Sequence, residues 1–445
     1  MSNSNKTVSN YPLPPGTLGL PFIGETLAFF VDANFVRRRH QKYGNIFKTH
    51  LFGNTCVFMI GPEAAEFVLS SHAKHFNWQD GWPKNFAVLF DKSLLLQDGA
   101  EHRRNRKLMM PAFHGQALIN YFKTIEQITI SYLHRWEQQQ QGIIDFEDVK
   151  EFTFDAASQI FLGVAPGENI ETLCDWFTVL TDGWSFFGLK KALSARENIY
   201  QHLIQVIQSR QANPTQDAIS LLIQSTDENG DRLNLEEICA QTMTILLAGH
   251  ETTTTTLNWI LLELAWYKNI QQHAREEQLH LAQQGALSME QLSKMPYLEQ
   301  ILLEVERLHP GTNAGFRGVV EPFEFNGFHV PAGWKLQFSI LLTHQAAEVY
   351  TEPLRFDPDR FSPERQESKR KPYSLIGFGG GQRTCIGMAF AKLEMKIIMS
   401  YLLRNYEWEV LPKQNINRFN FSPIERNKFL KKWRFRLSPC QSHKM

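Results

Sequence analysis

The sequence predicts a mainly α fold with minor β: one domain over residues 1–445, most of it helical, with a small N-terminal β-rich lobe. Three observations carry this. Helical patterning dominates from about Gly99 to Arg307, and a last long helix is predicted from about Met388 to Asn405. β-like segments are short and confined to roughly 21–75 and 315–345. The chain has 445 residues, 43% of them hydrophobic, which is enough for one large core.

Residues 1–20 form an extended lead-in, stiffened by Pro12, Pro14, Pro15 and Gly16. Its start has neither a charged n-region with an apolar h-region nor about 20 apolar residues in a row, so no signal peptide or transmembrane anchor is expected. Ile46–Phe52 and Cys56–Ile60 flank Gly53-Asn54 and predict a hairpin. A second hairpin is predicted around Asn326-Gly327. Leu354–Gly387 is rich in Pro, Gly and charge and reads as ordered loop.

Lys+Arg and Asp+Glu number 46 each, so no basic excess points to nucleic acid. No Gly-rich phosphate loop follows a strand. The five cysteines are scattered and form no CxxC, which fits a reducing compartment and predicts a cytoplasmic protein.

One cysteine stands apart. In Phe378-Gly379-Gly380-Gly381-Gln382-Arg383-Thr384-Cys385-Ile386-Gly387 the glycines allow positive φ and close backbone approach to a bulky flat ligand. Cys385 precedes the helix beginning near Met388, whose unpaired N–H groups and positive potential favour a thiolate. Phe378 is placed to cover the sulfur, and Arg383 suits a carboxylate. A buried structural cysteine in a Gly-rich turn explains less of this ten-residue pattern.

Leu235–Trp266 reads as a single helix of roughly 45 Å, with Ala248-Gly249-His250-Glu251-Thr252-Thr253 at its middle. Ala248 and Gly249 leave room for a flat ligand. Burying Glu251 and Thr252 is costly without partners or work to do. Thr252 is expected to bond backward and open the helix locally. Glu304 and Arg307 share a helical face, as do His102 and Arg106.

These residues resemble the cytochrome P-450 family. The cysteine run fits FxxGxRxCxG at every fixed position, and the helix centre fits [AG]Gx[DE]T[TS]. The resemblance implies the P-450 fold, with its long central helix over haem b (iron protoporphyrin IX), and haem-thiolate monooxygenase activity. It makes Cys385 the axial ligand of the iron and sets Phe378, Gly379, Gly387 and Ala248 against the haem. It makes Thr252 the catalytic hydroxyl and Glu251 the acid of a proton relay, and it gives His250 no catalytic role. Glu304 and Arg307 look like the ExxR pair. Phe356–Phe361 looks like the PERF-type element, with Asp359 in place of the commoner Glu. Glu304, Arg307 and Arg360 would then form a buried network that holds the cysteine loop. Arg383, the HxxxR-like pair His102 and Arg106, and Arg317 would hold the haem carboxylates.

No flavin or iron–sulfur motif is visible, so electrons to activate O2 are expected from a separate partner, ferredoxin with its reductase. Arg103, Arg104, Lys107 and Lys392 either steer such an acidic donor or are solvated surface charge. By position relative to the motifs, Trp82, Phe86, Leu89, Ala314, Gly315 and Phe316 line an apolar substrate chamber. PPGTLGLPFIGET, GFRGVVEPFEFNGFHVPAGWK and FGGGQRTCIGMAFAKLEMK resemble the branch containing vertebrate retinoic acid hydroxylases and their cyanobacterial relatives, which implies a retinoid or similar isoprenoid substrate. Two other functions compete: a haem-thiolate isomerase or peroxygenase, and a haem sensor or carrier. Both lack a use for Glu251-Thr252.

Overall fold

The structure, a computed structural model, describes residues 10–139, 142–164, 170–183, 188–411 and 429–440. The first nine residues of the lead-in lie outside them. Helix accounts for 58% and strand for 12%, so the mainly α expectation holds.

The strands are β1 (Ile46–Leu51), β2 (Asn54–Ile60), β3 (Phe76–Asn77), β4 (Ile143–Asp145), β5 (Ala314–Val319), β6 (Phe323–Phe325), β7 (Phe328–Val330), β8 (Lys335–Ser339), β9 (Tyr406–Leu411) and β10 (Arg434–Pro439). Five of them form a sheet ordered β1-β2-β8-β5-β3, in which β2 and β8 run parallel. It joins the two separated stretches expected to make the β lobe. The first hairpin turn falls one residue earlier than expected. Asn54 pairs with Leu51, and the turn is Phe52-Gly53, at φ 51 and 75. A two-residue turn of this kind needs positive φ at both positions. Phe52 tolerates it because its N–H reaches Thr26 Oγ1 at 2.9 Å and its ring packs 5.4 Å from that of Phe30. The second hairpin, β6-β7, turns at Asn326-Gly327 as expected. A three-stranded sheet, β4-β10-β9, was not anticipated.

The helices that matter for the site are α1 (Gly99–Met109), α2 (Gln116–Gln138), α3 (Phe146–Leu162), α4 (Leu235–Trp266), α5 (Lys268–Ala282), α6 (Pro296–Leu308) and α7 (Met388–Asn405). α4 starts on a reciprocal cap, with Asn234 accepting from Glu237 N–H and Glu237 accepting from Asn234 N–H. Its side chains are buried on nearly every face, and each large apolar one contributes about 1.5–3 kcal/mol. α3 lies beside it, with Thr153 Oγ1 2.6 Å from Thr254 Oγ1. The expected local opening of α4 is absent. Thr252 to Thr256 each donate a hydroxyl to the carbonyl four residues back, at 2.7–3.0 Å. These bonds satisfy the hydroxyls beside an unbroken backbone ladder.

Candidate active site

α7 begins at the end of the cysteine loop. Gly379 has φ 76, a conformation that favours glycine. The loop closes with Cys385 N–H on Phe378 O at 2.7 Å. The N–H groups of Gly387 and Met388 at the start of α7 and the Arg106 guanidinium favour the ionised sulfur. Burial nevertheless dominates and pushes the free thiol up, with Glu306 adding to the effect. The helix end favours the thiolate as expected, but burial outweighs it. Desolvating a charged sulfur costs more than these groups return, and a coordinated cation is what would deprotonate it.

Cys385 lies deep in the protein yet presents accessible surface, so it faces a hollow. Ala248 is likewise exposed at the centre of an otherwise buried helix. The Phe113–Phe161 ring pair, 5.8 Å apart, ties the two together: Phe113 lies beside Gly387 and Phe161 beside Gly249.

The basic residues gather at one place. Arg317 and Arg383 lie 3.9 and 5.0 Å from the ring centroid of Trp78. Arg383 also reaches Asp98 at 2.7 Å and Gln97 O at 2.6 Å. Arg317 is 3% exposed and, among the described residues, bonds only to Phe316 O, at 2.6 Å. Burial, then Arg383, pushes its guanidinium down to about 9. His102 is buried beside Arg383 and Arg106, and burial followed by those charges drives it down to about 4. Among the described residues, Asp98 pairs with Arg383, and Arg317 and Arg106 have no ion pair. Burying cations this way is costly unless an anion joins them. Haem fits, because it brings two carboxylates to the cations, a flat ring to the hollow and an iron to the exposed sulfur. Asp98 and Trp78 escaped the sequence analysis. Asp98 precedes α1 without capping it, and its carboxylate takes the amides of Trp78 and Gln79.

On α4, Glu251 lies 3.5 Å from Lys150 Nζ and 3.3 Å from His250 Nε2, the latter off the line of a hydrogen bond. Burial raises its carboxyl, but His250 and then Lys150 outweigh this and hold it to about 2. Where it stands, Glu251 is a base at neutral pH. To act as the expected acid it must leave Lys150, a partner on α3 that the sequence did not flag. Thr252 donates to Ala248 O at 2.7 Å and keeps accessible surface.

The Glu304 network forms as expected. Arg307 meets Glu304 at 2.6 and 2.8 Å, and Arg360 meets Glu304 at 3.1 Å. Backbone carbonyls of His344, Pro353, Thr351 and Arg355 take the remaining guanidinium donors. Glu367, missed in the sequence, is a fourth member at 2.8 Å from Arg360.

Three of the four proposed steering cations are already paired: Arg104 with Glu237, Lys107 with Glu228 and Lys392 with Glu299. Neutralised charges steer weakly, so of that set only Arg103 remains as a candidate. Of the expected chamber residues, Trp82 stacks on Phe86 at 4.0 Å and leans on Phe316 at 5.4 Å. Ala314 and Gly315 are half-buried, and Gly315 carries the Phe338 ring where a Cβ would stand. Leu89 has no accessible surface and sits in the packed core, so it does not form a chamber wall.

Comparison with known proteins agrees. A family model described as Cytochrome P450 matches residues 14–182 and 169–432. A protein from Synechocystis sp. named cytochrome P450 120 is 36% identical, over 94% of this chain and 95% of its own length. Cytochrome P450 26A1 of Gallus gallus is 33% identical over 90% of this chain and 86% of its own length. A solved structure titled as cyanobacterial CYP120A1 with retinoic acid bound superposes with a TM-score of 0.87 and 33% identity, covering 97% of this chain and 100% of that one. The chain belongs to the cytochrome P450 family, the haem-carrying monooxygenases.

Proposed function

We propose that Cys385 is the axial thiolate of the haem iron, and that this monooxygenase hydroxylates a retinoid or related isoprenoid. Electrons come from a separate donor, ferredoxin with its reductase, in the cytoplasm, and residues 1–445 act as one domain. The observation that carries this reading is the deep but accessible Cys385 sulfur near a cluster of basic groups short of anions. No described helix is long and apolar enough to cross a membrane.

When bound, haem supplies an iron that takes up O2, and a thiolate ligand favours O–O cleavage. The rest falls to the protein. Arg317, Arg383 and Arg106 would neutralise the haem carboxylates, and the neutral His102 ring would donate an N–H to them, which together would fix the ring's orientation. Phe378, Gly379, Gly387 and Ala248 leave a flat space with little water. Thr252 presents a hydroxyl on that space, and Glu251, once released from Lys150, passes protons inward from solvent. The aromatic wall of Trp82 and Phe316, with Phe86 packed behind Trp82, selects an apolar substrate. The retinoid class is supported by the similar solved structure titled as holding retinoic acid.

The test is a spectral titration of the purified protein with retinoids, fatty acids and carotenoid fragments. A retinoid is expected to shift the haem from low to high spin at the lowest concentration. Absence of that shift, with a fatty acid active instead, overturns the substrate assignment. The reduced carbon monoxide complex should absorb as a thiolate-ligated haem, and Cys385→Ser should abolish that band. Thr252→Ala should lower product formed per electron consumed and raise release of hydrogen peroxide. An unchanged yield removes Thr252 from the mechanism.

A further inference from the structure

Glu306 lies between Glu304 and Arg307 in chain order, but its carboxylate takes no part in their network. It is deep in the protein and faces Gly377 and Phe378, whose backbone N–H groups favour its ionised form. Its side chain fills the place where a Cβ on residue 377 would stand, 2.4 Å from Glu306 Cγ and 2.7 Å from Oε1, which is why residue 377 has to be glycine. The preceding amide, Ile376 N–H, is taken by His344 Nε2 at 2.7 Å. His344 is in turn fixed through Nδ1 on Arg307 O at 3.1 Å, and burial drives it down to about 3, so its ring is neutral and Nε2 accepts. Three consecutive residues leading into the cysteine loop are therefore held from α6: His344 takes the Ile376 amide, and Glu306 packs on Gly377 and faces Phe378. The third, Phe378, returns the constraint to the ligand, because its carbonyl accepts Cys385 N–H at 2.7 Å. When ionised, Glu306 also acts through space, since its charge then opposes ionisation of Cys385. Burial pushes the Glu306 carboxyl up to about 7, so its charge is complete only above that pH, which is where the variants below are compared. A negative group near the sulfur enriches the electron density that the sulfur passes to a metal.

We propose that Glu306 is a positioning residue for the proximal ligand: it fixes the Gly377-Phe378 strand on which Cys385 hangs and lowers the reduction potential of the haem iron by its charge. This rests on Cys385 being the ligand. The two ideas are separated by the unsubstituted holoprotein, whose reduced carbon monoxide band must be of the thiolate type before the variants are interpreted. Glu306→Gln keeps an acceptor oxygen and removes the charge. Glu306→Leu removes both. Each is compared by spectroelectrochemical midpoint potential and by the lifetime of the carbon monoxide complex before it converts to the thiol-ligated form. Glu306→Gln is expected to shift the midpoint to a more positive value with a lifetime within twofold of the parent. Glu306→Leu is expected to shift it the same way and shorten the lifetime tenfold or more. A Glu306→Gln midpoint equal to the parent's, or a Glu306→Leu complex as long-lived as the parent's, overturns the assignment.

Discussion

The Glu304 network sets two glutamates against two arginines, all at most 1% exposed, whereas the group of Arg317, Arg383, Arg106 and His102 has, among the described residues, one ion pair, that of Arg383 with Asp98. In the first, every guanidinium finds a carboxylate and several carbonyls. In the second, Arg317 has one backbone carbonyl and the face of an indole. Both are buried charge, and burial alone does not distinguish them. Completeness does. A network that closes on itself holds the fold together, while one left short of anions is built to receive something from outside.

The contrast is tested hardest at Glu304. Glu304→Ala strands two arginines without their shared carboxylate, and a loss of about 3–5 kcal/mol is expected in urea unfolding. A loss within about 1 kcal/mol would dissolve the distinction. Acid titration probes the other group. His102 sits at about 4 instead of 6.5, through burial and then Arg383, Arg106 and Arg103. The unfolded chain therefore takes up this proton first, so the stability tied to a neutral His102 is complete above the unfolded value and lost as pH falls toward 4. In haem-free protein, His102→Gln should remove at most about 3 kcal/mol of that pH dependence. His344, held at about 3, contributes over the same window but is common to both proteins and cancels in the difference. Equal pH slopes for parent and variant would mean that His102 is not held neutral.

Arg317→Leu sharpens the comparison from the functional side. Removing an uncompensated cation should leave haem-free stability within about 1 kcal/mol of the parent or above it. Haem should then dissociate about tenfold faster, a loss of about 1.4 kcal/mol in binding. A large loss of fold stability would mean that Arg317 belongs with the closed network. The smallest effect is expected at the surface, where Lys107→Ala removes an exposed partner of Glu228 and should change stability by less than about 0.5 kcal/mol.

What could be read from the chain alone follows from distance along it. The cysteine loop, the α4 centre and the Glu304–Arg307 pair are each carried by fewer than a dozen neighbouring residues, and the bounds of α4 and α7 followed from local patterning. Asp98, Glu367 and Lys150 were missed because their partners lie far away in sequence or across a turn. Glu367 reaches Arg360 only because Gln366 adopts a left-handed conformation at φ 38. The β4-β10-β9 sheet joins segments nearly 300 residues apart, and no short window announces such pairing. Glu306 was passed over because a glutamate near an arginine on a helix reads as surface. Leu89 was placed in a chamber by analogy of position, and packing put it in the core.

The run of threonines on α4 has a consequence of its own. Thr252 has already given its only hydroxyl hydrogen to Ala248 O. What it shows to an arriving molecule is a pair of lone pairs. It can therefore hold a water or another O–H bearing group by accepting from it, and it can donate only by surrendering the carbonyl one turn behind. Directionality of proton flow at this point is set by the helix before any partner arrives.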